Sequence, residues 1–456
     1  MKLYNTLTKQ VDELTPLEQG KIKLFVCGPT VYDLAQLGNG RTYTTFDVLA
    51  RTLRLSQLDT FYLQNITDID DKIIKRAEEK NIDWKELTAQ YLEDYMADMQ
   101  WLGNTSVSEY ARATDYIDDI VKQVQGLIDK GYAYTIDDGV YFEITKFPDY
   151  GKLSGRHDVQ EDDAQSRIDQ SDQKRGWNDF CLWKFSKPGE PVWQAPFGAG
   201  RPGWHIEDTA ITEHFFGPQY DMHGGAIDLI FPHHEAELTQ MESLSGKVPF
   251  VTTWVHGGFL TVNNKRMGKS MGNFVTIRDV KNRGYDAAAL RLLFLQAHYR
   301  SPLDFTWESL DAAANRLSGY NELADLRWQT VADEQAQGMD SFRQTKAELL
   351  RCMQDDLDTP SALAVLSAFS DQAKDSLVSQ EDESSLVDLL EFVDDLFGLQ
   401  LAKRPDISNH QKQLITDREQ AREAKDWQMS DEIRDQLKKQ GIGLNDTGHG
   451  AIWFRF

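Results

Sequence analysis

Cysteine is scarce in this chain, which has only Cys27, Cys181 and Cys352 among its 456 residues. So few cysteines exclude a disulfide framework and favour a reducing compartment, and we therefore expect a cytoplasmic protein. Without such cross-links, a chain of this length has to be stabilised by buried cores, and about two to four domains are expected.

Long apolar runs are also missing, which excludes a membrane-spanning helix, because such a helix needs about 20 mostly apolar residues. The first residues, MKLYNTLTKQ, lack the apolar centre of a signal peptide. Hydrophobic residues make up 40% of the chain and charged residues 27%, proportions typical of a soluble globular protein. We therefore expect no membrane partner.

Positive charge is in deficit, because 49 lysines and arginines face 73 acidic residues and leave a net charge of −24. The deficit is uneven: residues 331–400 carry 16 acidic and 4 basic side chains, whereas residues 403–456 carry 9 and 10. A surface that binds a polyanion must therefore be local, and the C-terminal segment is its best candidate. Adaptation to salt would explain the acidic remainder equally well.

The first third of the chain alternates between strand and helix patterns. Residues 21–28 have the composition of a buried strand, and after them Phe46, Leu49 and Leu53 recur at helical spacing. From about residue 115 to 200 the pattern changes to a hairpin around the Asp-Gly of YAYTIDDGVYFEI, followed by the polar loop DAQSRIDQSDQK. We interpret this region as an insertion in one α/β domain, because the alternation resumes after it.

The second half of the chain is predominantly helical. Beyond residue 286, apolar residues recur at the i, i+3, i+4 spacing of helices that bury one face. Thr359-Pro360 opens one of these helices with proline in its first turn. The tail predicts two short polar helices and then a small β element in GIGLNDTGHGAIWFRF.

Four side chains suited to binding a metal occur in three separate segments. His233 and Glu237 lie four residues apart in a predicted helix, so both project from one face, as in zinc-binding helices. Cys27 ends a predicted strand, and Asp208 lies on a segment expected near strand ends. A surface glutamate and a hydrogen-bonded core histidine would explain the same pattern without a metal.

Two glycine-containing segments are candidates for binding phosphate. Residues 27–42, CGPTVYDLAQLGNGRT, lead from a strand to glycines at a helix start, where unpaired N–H groups and the helix dipole suit a triphosphate. Residues 265–274, KRMGKSMGNF, place cations and glycines on one loop. An ordinary strand-to-helix turn and a solvated basic loop would explain these segments as well.

In order and over essentially all of the chain, these segments resemble the cysteinyl-tRNA synthetases, a family of class I aminoacyl-tRNA synthetases. The resemblance is carried by FVCGPTVYD with LGNGRT, NITDIDDKII, GRPGWHIE, DMHGG with DLIFPHHEAE, KRMGKSMGNF and EIRDQLKKQGIGLNDT. It implies activation of L-cysteine by ATP with Mg²⁺, transfer to tRNA(Cys), and one zinc ion per chain. The absence of long apolar repeats favours a monomer.

The fold that the resemblance implies is α/β, a Rossmann-like catalytic domain with an inserted α+β connective domain, followed by a helical bundle and a small C-terminal α+β tRNA-binding domain. The expected divisions are the first half of the catalytic domain (1–114), the connective insertion (115–200), the second half of the catalytic domain (201–260), a signature-loop and stem-contact region (261–310), the bundle (311–402) and an anticodon-binding domain (403–456).

The resemblance also implies roles for individual residues. The expected zinc ligands are Cys27, Asp208, His233 and Glu237. The expected cysteine-binding residues are Cys27, Thr67, Trp204, His223 and Asp228. The expected ATP-binding residues are Thr30, Gly38, Asn39, Arg266 and Lys269. The catalytic roles would belong to Gln36, Asn39 and Lys269, with Lys269 neutralising the leaving pyrophosphate.

Asp208 departs from the family pattern, in which GWHIE is followed by cysteine. Replacing one thiolate by one carboxylate leaves the summed charge of the four ligands unchanged. Carboxylate oxygen is an accepted zinc ligand, so the exchange lowers the softness of the site but keeps its charge. We therefore interpret Asp208 as a substituted ligand, the alternative being a lost site in which Asp208 is an acid on a helix surface.

The phosphate-binding segments depart from the pattern as well. Gln36 stands where the family has histidine, so it can donate a hydrogen bond to phosphate but cannot carry positive charge. Arg266-Met267-Gly268-Lys269-Ser270 stands where the family has Lys-Met-Ser-Lys-Ser, which keeps both cations and adds flexibility at Gly268.

Two other functions fit these patterns. An aminosugar–cysteine ligase would share the adenylation site but would lack the C-terminal tRNA-binding domain. A paralogue that binds tRNA or cysteine without catalysis would explain the departures at Gln36, Asp208 and Gly268.

Overall fold

A computed structural model describes residues 1–156, 171–268, 272–330, 339–447 and 450–456. The strands in these ranges, in chain order, are β1 (Lys2–Asn5), β2 (Gln10–Glu13), β3 (Lys21–Val26), β4 (Asp59–Ile66), β5 (Glu109–Arg112), β6 (Ala133–Ile136), β7 (Gly139–Phe142), β8 (Phe180–Phe185), β9 (Gly200–Pro202), β10 (Tyr220–Ala226), β11 (Val251–Gly257), β12 (Leu260–Val262), β13 (Lys265–Arg266), β14 (Leu303–Phe305), β15 (Ile442–Thr447) and β16 (Gly450–Arg455).

The helices alternate with strands at first and then follow one another. In chain order they are α1 (Leu37–Leu55), α2 (Asp71–Lys80), α3 (Trp84–Leu102), α4 (Ile117–Asp129), α5 (Trp204–Phe216), α6 (Glu235–Ser245), α7 (Ile277–Asn282), α8 (Ala287–Leu295), α9 (Trp307–Asp325), α10 (Met339–Gln354), α11 (Thr359–Ser376), α12 (Glu383–Phe397), α13 (Asn409–Glu423) and α14 (Trp427–Lys439). Within the described ranges, no helix combines the length and apolarity needed to cross a membrane.

The principal sheet is parallel and has the strand order β11-β10-β3-β4-β5. Most residues of β3, β4, β10 and β11 are buried, whereas the edge strand β5 is largely accessible. Burial of this kind is expected where helices cover both faces of a parallel sheet. On α1, the side chains of Phe46, Leu49 and Leu53 are completely buried, as their spacing predicts. Since β3 to β5 precede the inserted region and β10 and β11 follow it, one sheet combines two separated stretches of sequence. The α/β Rossmann-like prediction is confirmed.

The inserted region forms its own antiparallel sheet, in the order β6-β7-β8-β9. Its first hairpin pairs Ile136 with Gly139, so the turn residues are Asp137 and Asp138 rather than the expected Asp-Gly pair. Glycine is needed at 139 because a Cβ there would lie 2.4 Å from the carbonyl oxygen of Trp183. Strand β9 also extends past the boundary predicted at residue 200. Most of the predicted polar loop lies outside the described residues.

The described chain divides into two compact units. The first holds Met1–Ala287, Ala297–Thr306 and Gln354–Leu357, and the second holds Ala288–Gln296, Trp307–Met353 and Asp358–Phe456. In the second unit, Pro360 lies in the first turn of α11, as the sequence predicts. The C-terminal β15–β16 hairpin packs on α13 and α14 through the cluster Ile407, Leu414, Ile433, Leu437, Ile442 and Trp453. None of the three cysteines forms a disulfide, and all three are buried.

Candidate active site and metal centre

The carboxyl ends of β3, β4 and β10 meet at one edge of the principal sheet, where α/β proteins bind their ligands. Cys27 follows β3 directly, and its backbone N–H donates to the carbonyl of Gly224 in β10. Gly28 comes next, and a Cβ at this position would lie 1.7 Å from the carbonyl oxygen of Asn65 in β4. The close approach that glycine permits brings Cys27 to the end of β4.

The four predicted metal ligands converge behind this edge. The Nε2 atom of His233 lies 3.5 Å from the Sγ of Cys27 and 3.2 Å from an Oδ of Asp208. It also lies 2.9 Å from the Oε1 of Glu237. Asp208 is 1% exposed, so it is not an acid on a helix surface. Side chains from three separated segments therefore point toward one volume.

Local backbone geometry explains how these groups meet. Asp208 lies in the second turn of α5, on its buried side. The segment before α6 differs from the prediction, which placed His233 in the same helix as Glu237. His233 lies in a π-helical turn, Ile230–His234, in which the backbone of Phe231 is not helical. The α-helix begins only at Glu235. His233 and Glu237 nonetheless share one face, because the backbone from Pro232 onward is helical.

A second layer of side chains orients the predicted metal ligands. The amide of Asn65 donates to an Oδ of Asp208 at 2.6 Å. The Nδ1 of His205 lies 2.8 Å from the Nδ1 of His233, which leaves the Nε2 of His233 facing the acids. The Trp204 ring stacks on the His233 ring with 4.0 Å between centroids. Outer partners of this kind are what hold metal-binding histidines and carboxylates in place.

The crowding of acidic groups in a buried place perturbs their protonation. Burial acts to lower the pKa of His233, but Glu237 and Asp208 override it and raise this pKa to about 9. Burial raises the pKa of Glu237 to about 8, with His233 opposing the rise. Burial and the charges of Asp208 and Glu237 raise the pKa of the Cys27 thiol. A divalent cation would stabilise the deprotonated forms of all three groups.

The donor atoms of the cluster fit a zinc ion. The Oε2 of Glu237 lies 3.3 Å from the Nε2 of His223, and among the described residues the buried Nε2 of His234 has no hydrogen-bond partner. Sulfur, imidazole nitrogen and carboxylate oxygen are the donors that zinc takes in proteins. Ligand atoms of Asp208, His233 and Glu237 lie within 4.8 Å of one another.

Two histidines of this cluster were not predicted as ligands. The structure also groups His234 with Cys27 and His233, and groups His223 with His234 and Glu237, in each case with ligand atoms within 4.8 Å. Burial lowers the pKa of His223 and His234, so both are neutral and able to ligate. The consecutive histidines of FPHHEAE were a signal for His234, but spacing alone did not show which of them faces the acids.

Cys27, Asp208, His233 and Glu237 are called the metal cluster from here on. A cavity of about 340 Å³ opens beside this cluster at the same edge of the sheet. The predicted residues that line it are Cys27, Thr30, Gln36, Gly38, Asn39, Trp204, Asp228 and Arg266. The cavity walls also include Tyr43 and Phe259, which were not predicted. Of the four predicted metal ligands, Cys27 lines the cavity as well as lying in the metal cluster.

Other predicted site residues do not reach the cavity wall. Thr67 is 2% exposed, and its backbone bonds to Pro29 and Val31 tie β4 to the loop after β3. His223 is completely buried, with its Nδ1 2.7 Å from the Tyr220 hydroxyl. Both residues lie behind the cavity rather than on its wall. Lys269 lies outside the described residues.

The cavity is bordered by the two predicted phosphate-binding segments. At the start of α1, the backbone N–H of Gln36 donates to the Oδ1 of Asn39 at 3.2 Å, and the Gln36 side chain accepts from the Asn39 N–H in return. The N–H of Leu37 donates to the carbonyl of Val275. The N–H of Gly38 between them is one of those for which a helix start supplies no helical partner. An Nη of Arg266 lies 3.8 Å from an Oδ of Asp228. Asn273 accepts from the Gly268 N–H and donates to the Arg266 carbonyl, which joins the two sides of the basic loop.

This architecture recurs in solved synthetase structures. The chain superposes on Mycobacterium tuberculosis methionyl-tRNA synthetase in complex with methionyl-adenylate with a TM-score of 0.63 and 14% identity, over 84% of this chain and 92% of that one. A leucyl-tRNA synthetase of Agrobacterium radiobacter in a ternary complex gives 0.62 and 10% identity, over 86% of each chain. Residues 13–315 match the family described as tRNA synthetases class I (C) catalytic domain. The fold and site therefore define a class I aminoacyl-tRNA synthetase.

The C-terminal segment and full-length relatives specify the family. Residues 404–453 match the cysteinyl-tRNA ligase anticodon-binding domain. The cysteine–tRNA ligase of Thermoplasma acidophilum is 42% identical over the full length of both chains. That of Thermococcus onnurineus is 41% identical over all of this chain and 99% of its own. The chain belongs to the cysteine–tRNA ligase family, and it is a ligase.

Proposed function

We propose that this chain activates L-cysteine with ATP to cysteinyl-adenylate and transfers the cysteinyl group to the 3′ end of tRNA(Cys). The observation that carries the proposal is the position of Cys27. It lines the cavity and also lies 3.5 Å from His233 in the metal cluster, so a side chain entering from the cavity can reach the buried ligand group.

We further propose that Cys27, Asp208, His233 and Glu237 hold one zinc ion, which would bind the substrate sulfur as a thiolate. Shape alone would separate cysteine from serine by only about 1–3 kcal/mol, because the two differ in one atom. Trp204 is stacked on His233 and lines the cavity, so it limits the space beside the substrate side chain. Thr67 and His223 would support this pocket from behind.

In the activation step, the carboxylate of cysteine attacks the α-phosphate of ATP and pyrophosphate leaves. The residues of the chain contribute by positioning the reactants and by neutralising charge. The N–H of Gly38 at the start of α1, beside Asn39, would bind phosphate together with Gln36 and Thr30. Asp228 would accept from the amino group or the ribose, and Arg266 and Lys269 would approach the phosphates of Mg²⁺-bound ATP.

The match of residues 404–453 to an anticodon-binding domain supports tRNA as the acceptor rather than an aminosugar. The burial of Asp208 within the metal cluster supports an intact site rather than an impaired paralogue. We propose that the enzyme works in the cytoplasm as a monomer and that the six divisions expected from its sequence are its functional parts.

The proposal is tested by exchange of radioactive pyrophosphate into ATP, with cysteine and serine supplied separately. Cys27→Ala should lose zinc and cysteine-dependent exchange together, because it removes a ligand that also lines the cavity. The matched control is Cys352→Ala, since Cys352 is also a buried cysteine outside any disulfide and lies in α10. The control should keep the zinc content and exchange rate of the wild type.

Full exchange by metal-free wild-type protein would refute the zinc assignment. Exchange that depends equally on serine and cysteine would refute the selectivity. Cysteine-dependent exchange without charging of tRNA(Cys) would point to another acceptor.

A further inference from the structure

Arg41 is a buried cation in the second turn of α1, near the end of the first phosphate-binding segment, residues 27–42. Its side chain is 3% exposed, and its acceptors among the residues that the structure describes are all backbone carbonyls. One Nη donates to the carbonyls of Gly258 at 3.0 Å and Phe259 at 2.6 Å. The other donates to those of His298 at 3.4 Å and Ser301 at 2.5 Å.

The four carbonyls belong to two chain segments that cross each other. Residues 257–259 leave the end of β11, and residues 298–301 precede β14. At the crossing, the Gly258 N–H donates to the Tyr299 carbonyl at 2.7 Å. A Cβ on Gly258 would lie 2.6 Å from the Arg300 carbonyl oxygen, so the two backbones are in direct contact.

This crossing forms part of the cavity wall, because Gly258, Phe259 and Leu260 line the cavity. Beyond it, β12 pairs with β14 on one side and with β13 on the other. Strand β13 contains Arg266, whose guanidinium lies 5.7 Å from the centre of the Phe259 ring. The geometry of the crossing therefore determines where the basic loop begins.

The charge and shape of the Arg41 side chain allow it to hold two backbone segments together. Burial lowers the pKa of Arg41 to about 10, so the side chain stays charged at neutral pH. Hydrogen bonds from a charged donor are roughly twice as strong as neutral ones, and the planar guanidinium can reach two acceptor pairs at once. A buried charge that is compensated only by carbonyls is costly unless those carbonyls are held in place.

We propose that Arg41 is a positioning residue for ATP, joining the start of α1 to the β11–β12 turn so that the cavity wall at residues 258–260 and strand β13 keep a fixed position relative to α1. The inference rests on the proposed function, because it assigns the cavity to ATP. Arg41 itself contacts protein carbonyls and not the reacting atoms. Its loss would let the β11–β12 turn and strand β13 move relative to α1, with no change in the group of Cys27, Asp208, His233 and Glu237.

The test compares Arg41→Gln with Arg54→Gln in the full-length enzyme. Arg54 also lies on α1 and donates to backbone carbonyls, those of Thr60 and Ser106, but it is exposed and its partners do not line the cavity. We expect Arg41→Gln to raise the KM for ATP in pyrophosphate exchange roughly tenfold and to lower kcat. Zinc content and the KM for cysteine should stay within about twofold of wild type.

Arg41→Lys serves as the second variant, because it keeps the charge while its single ammonium cannot span both carbonyl pairs. Like Arg41→Gln, this variant should raise the KM for ATP. The inference is overturned if Arg41→Gln and Arg41→Lys change neither ATP parameter more than Arg54→Gln does. It is also overturned if the KM for cysteine and the zinc content change in parallel with ATP, since general loosening would do that. A wild-type enzyme without cysteine-dependent exchange would refute the proposed function itself.

Discussion

At the scale of single residues, Asp208 decides how this site differs from the family pattern. Its carboxylate, which we propose takes the place of a thiolate, lies 3.2 Å from His233 Nε2 and accepts a hydrogen bond from the amide of Asn65. The sequence predicted Asp208 as a metal ligand in place of cysteine, but it did not predict the hydrogen bond from Asn65 that holds the carboxylate. The role of Asn65 could not be predicted, because Asn65 and Asp208 are 143 residues apart along the chain and their contact depends on how β4 and α5 pack.

Substitution of Asp208 by cysteine or by asparagine separates the role of charge from that of softness. Asp208→Cys restores a sulfur donor of equal charge and should keep one zinc per chain. Asp208→Asn removes a negative charge from a buried ligand and should weaken zinc binding by at least about tenfold. The measurement is zinc retained against a chelator series. Equal retention by wild type and Asp208→Asn would show that the carboxylate is not a ligand.

At the scale of elements, the site depends on how closely the end of β3 approaches the end of β4. The N–H of Gly28 donates to the Asn65 side chain at 2.5 Å, and the same Asn65 holds Asp208. The alternation of strands and helices predicted these elements and their order. It did not predict the π-helical turn before α6 or the turn residues of the β6–β7 hairpin, because both depend on contacts with other segments.

Gly28→Ala should destabilise the protein and its metal site together. The added Cβ would overlap the Asn65 backbone at 1.7 Å, and neither strand end can move without disturbing the sheet. We expect a loss of about 3 kcal/mol or more in the free energy of unfolding, measured by denaturant titration. The zinc content should fall with it.

Gly319→Ala is the matched control, because Gly319 lies inside α9 and its Cβ would have nothing closer than 3.8 Å. Alanine favours a helix interior, so this variant should be unchanged or more stable by about 0.5–1 kcal/mol. A Gly28→Ala protein as stable as this control would show that Gly28 and the Asn65 backbone do not approach as closely as the structure indicates.

At the scale of the whole molecule, the charge distribution and the family match both indicate the C-terminal segment as the place where tRNA would bind. The chain carries a net charge of −24, whereas residues 403–456 are nearly balanced. Lys438 and Lys439 are exposed in the last turn of α14, within the segment that matches an anticodon-binding domain. A polyanion such as tRNA is attracted only where positive charge is gathered on an acidic protein.

Reversal of these charges should affect tRNA but not adenylate formation. The double variant Lys438→Glu with Lys439→Glu should raise the KM for tRNA in charging assays, and the salt dependence of binding should fall by about one unit of slope per lost phosphate contact. Pyrophosphate exchange should be unchanged.

The same charge change at the exposed Lys122 and Lys247 of the first unit provides the comparison. If this control weakens tRNA binding as much as the C-terminal pair does, total charge and not the C-terminal surface governs binding.

The sequence by itself determined the alternation of strands and helices, the inserted region, the helical second half and the residue types of the metal cluster. These follow from local periodicity and from chemistry that each segment carries alone. Only the tertiary structure decided that Cys27, Asp208 and His233 share one buried volume, that Thr67 and His223 lie behind the cavity wall, and that Arg41 spans two crossing segments. Such contacts join residues far apart along the chain, and their distances are set by the packing of whole elements, which no local pattern records.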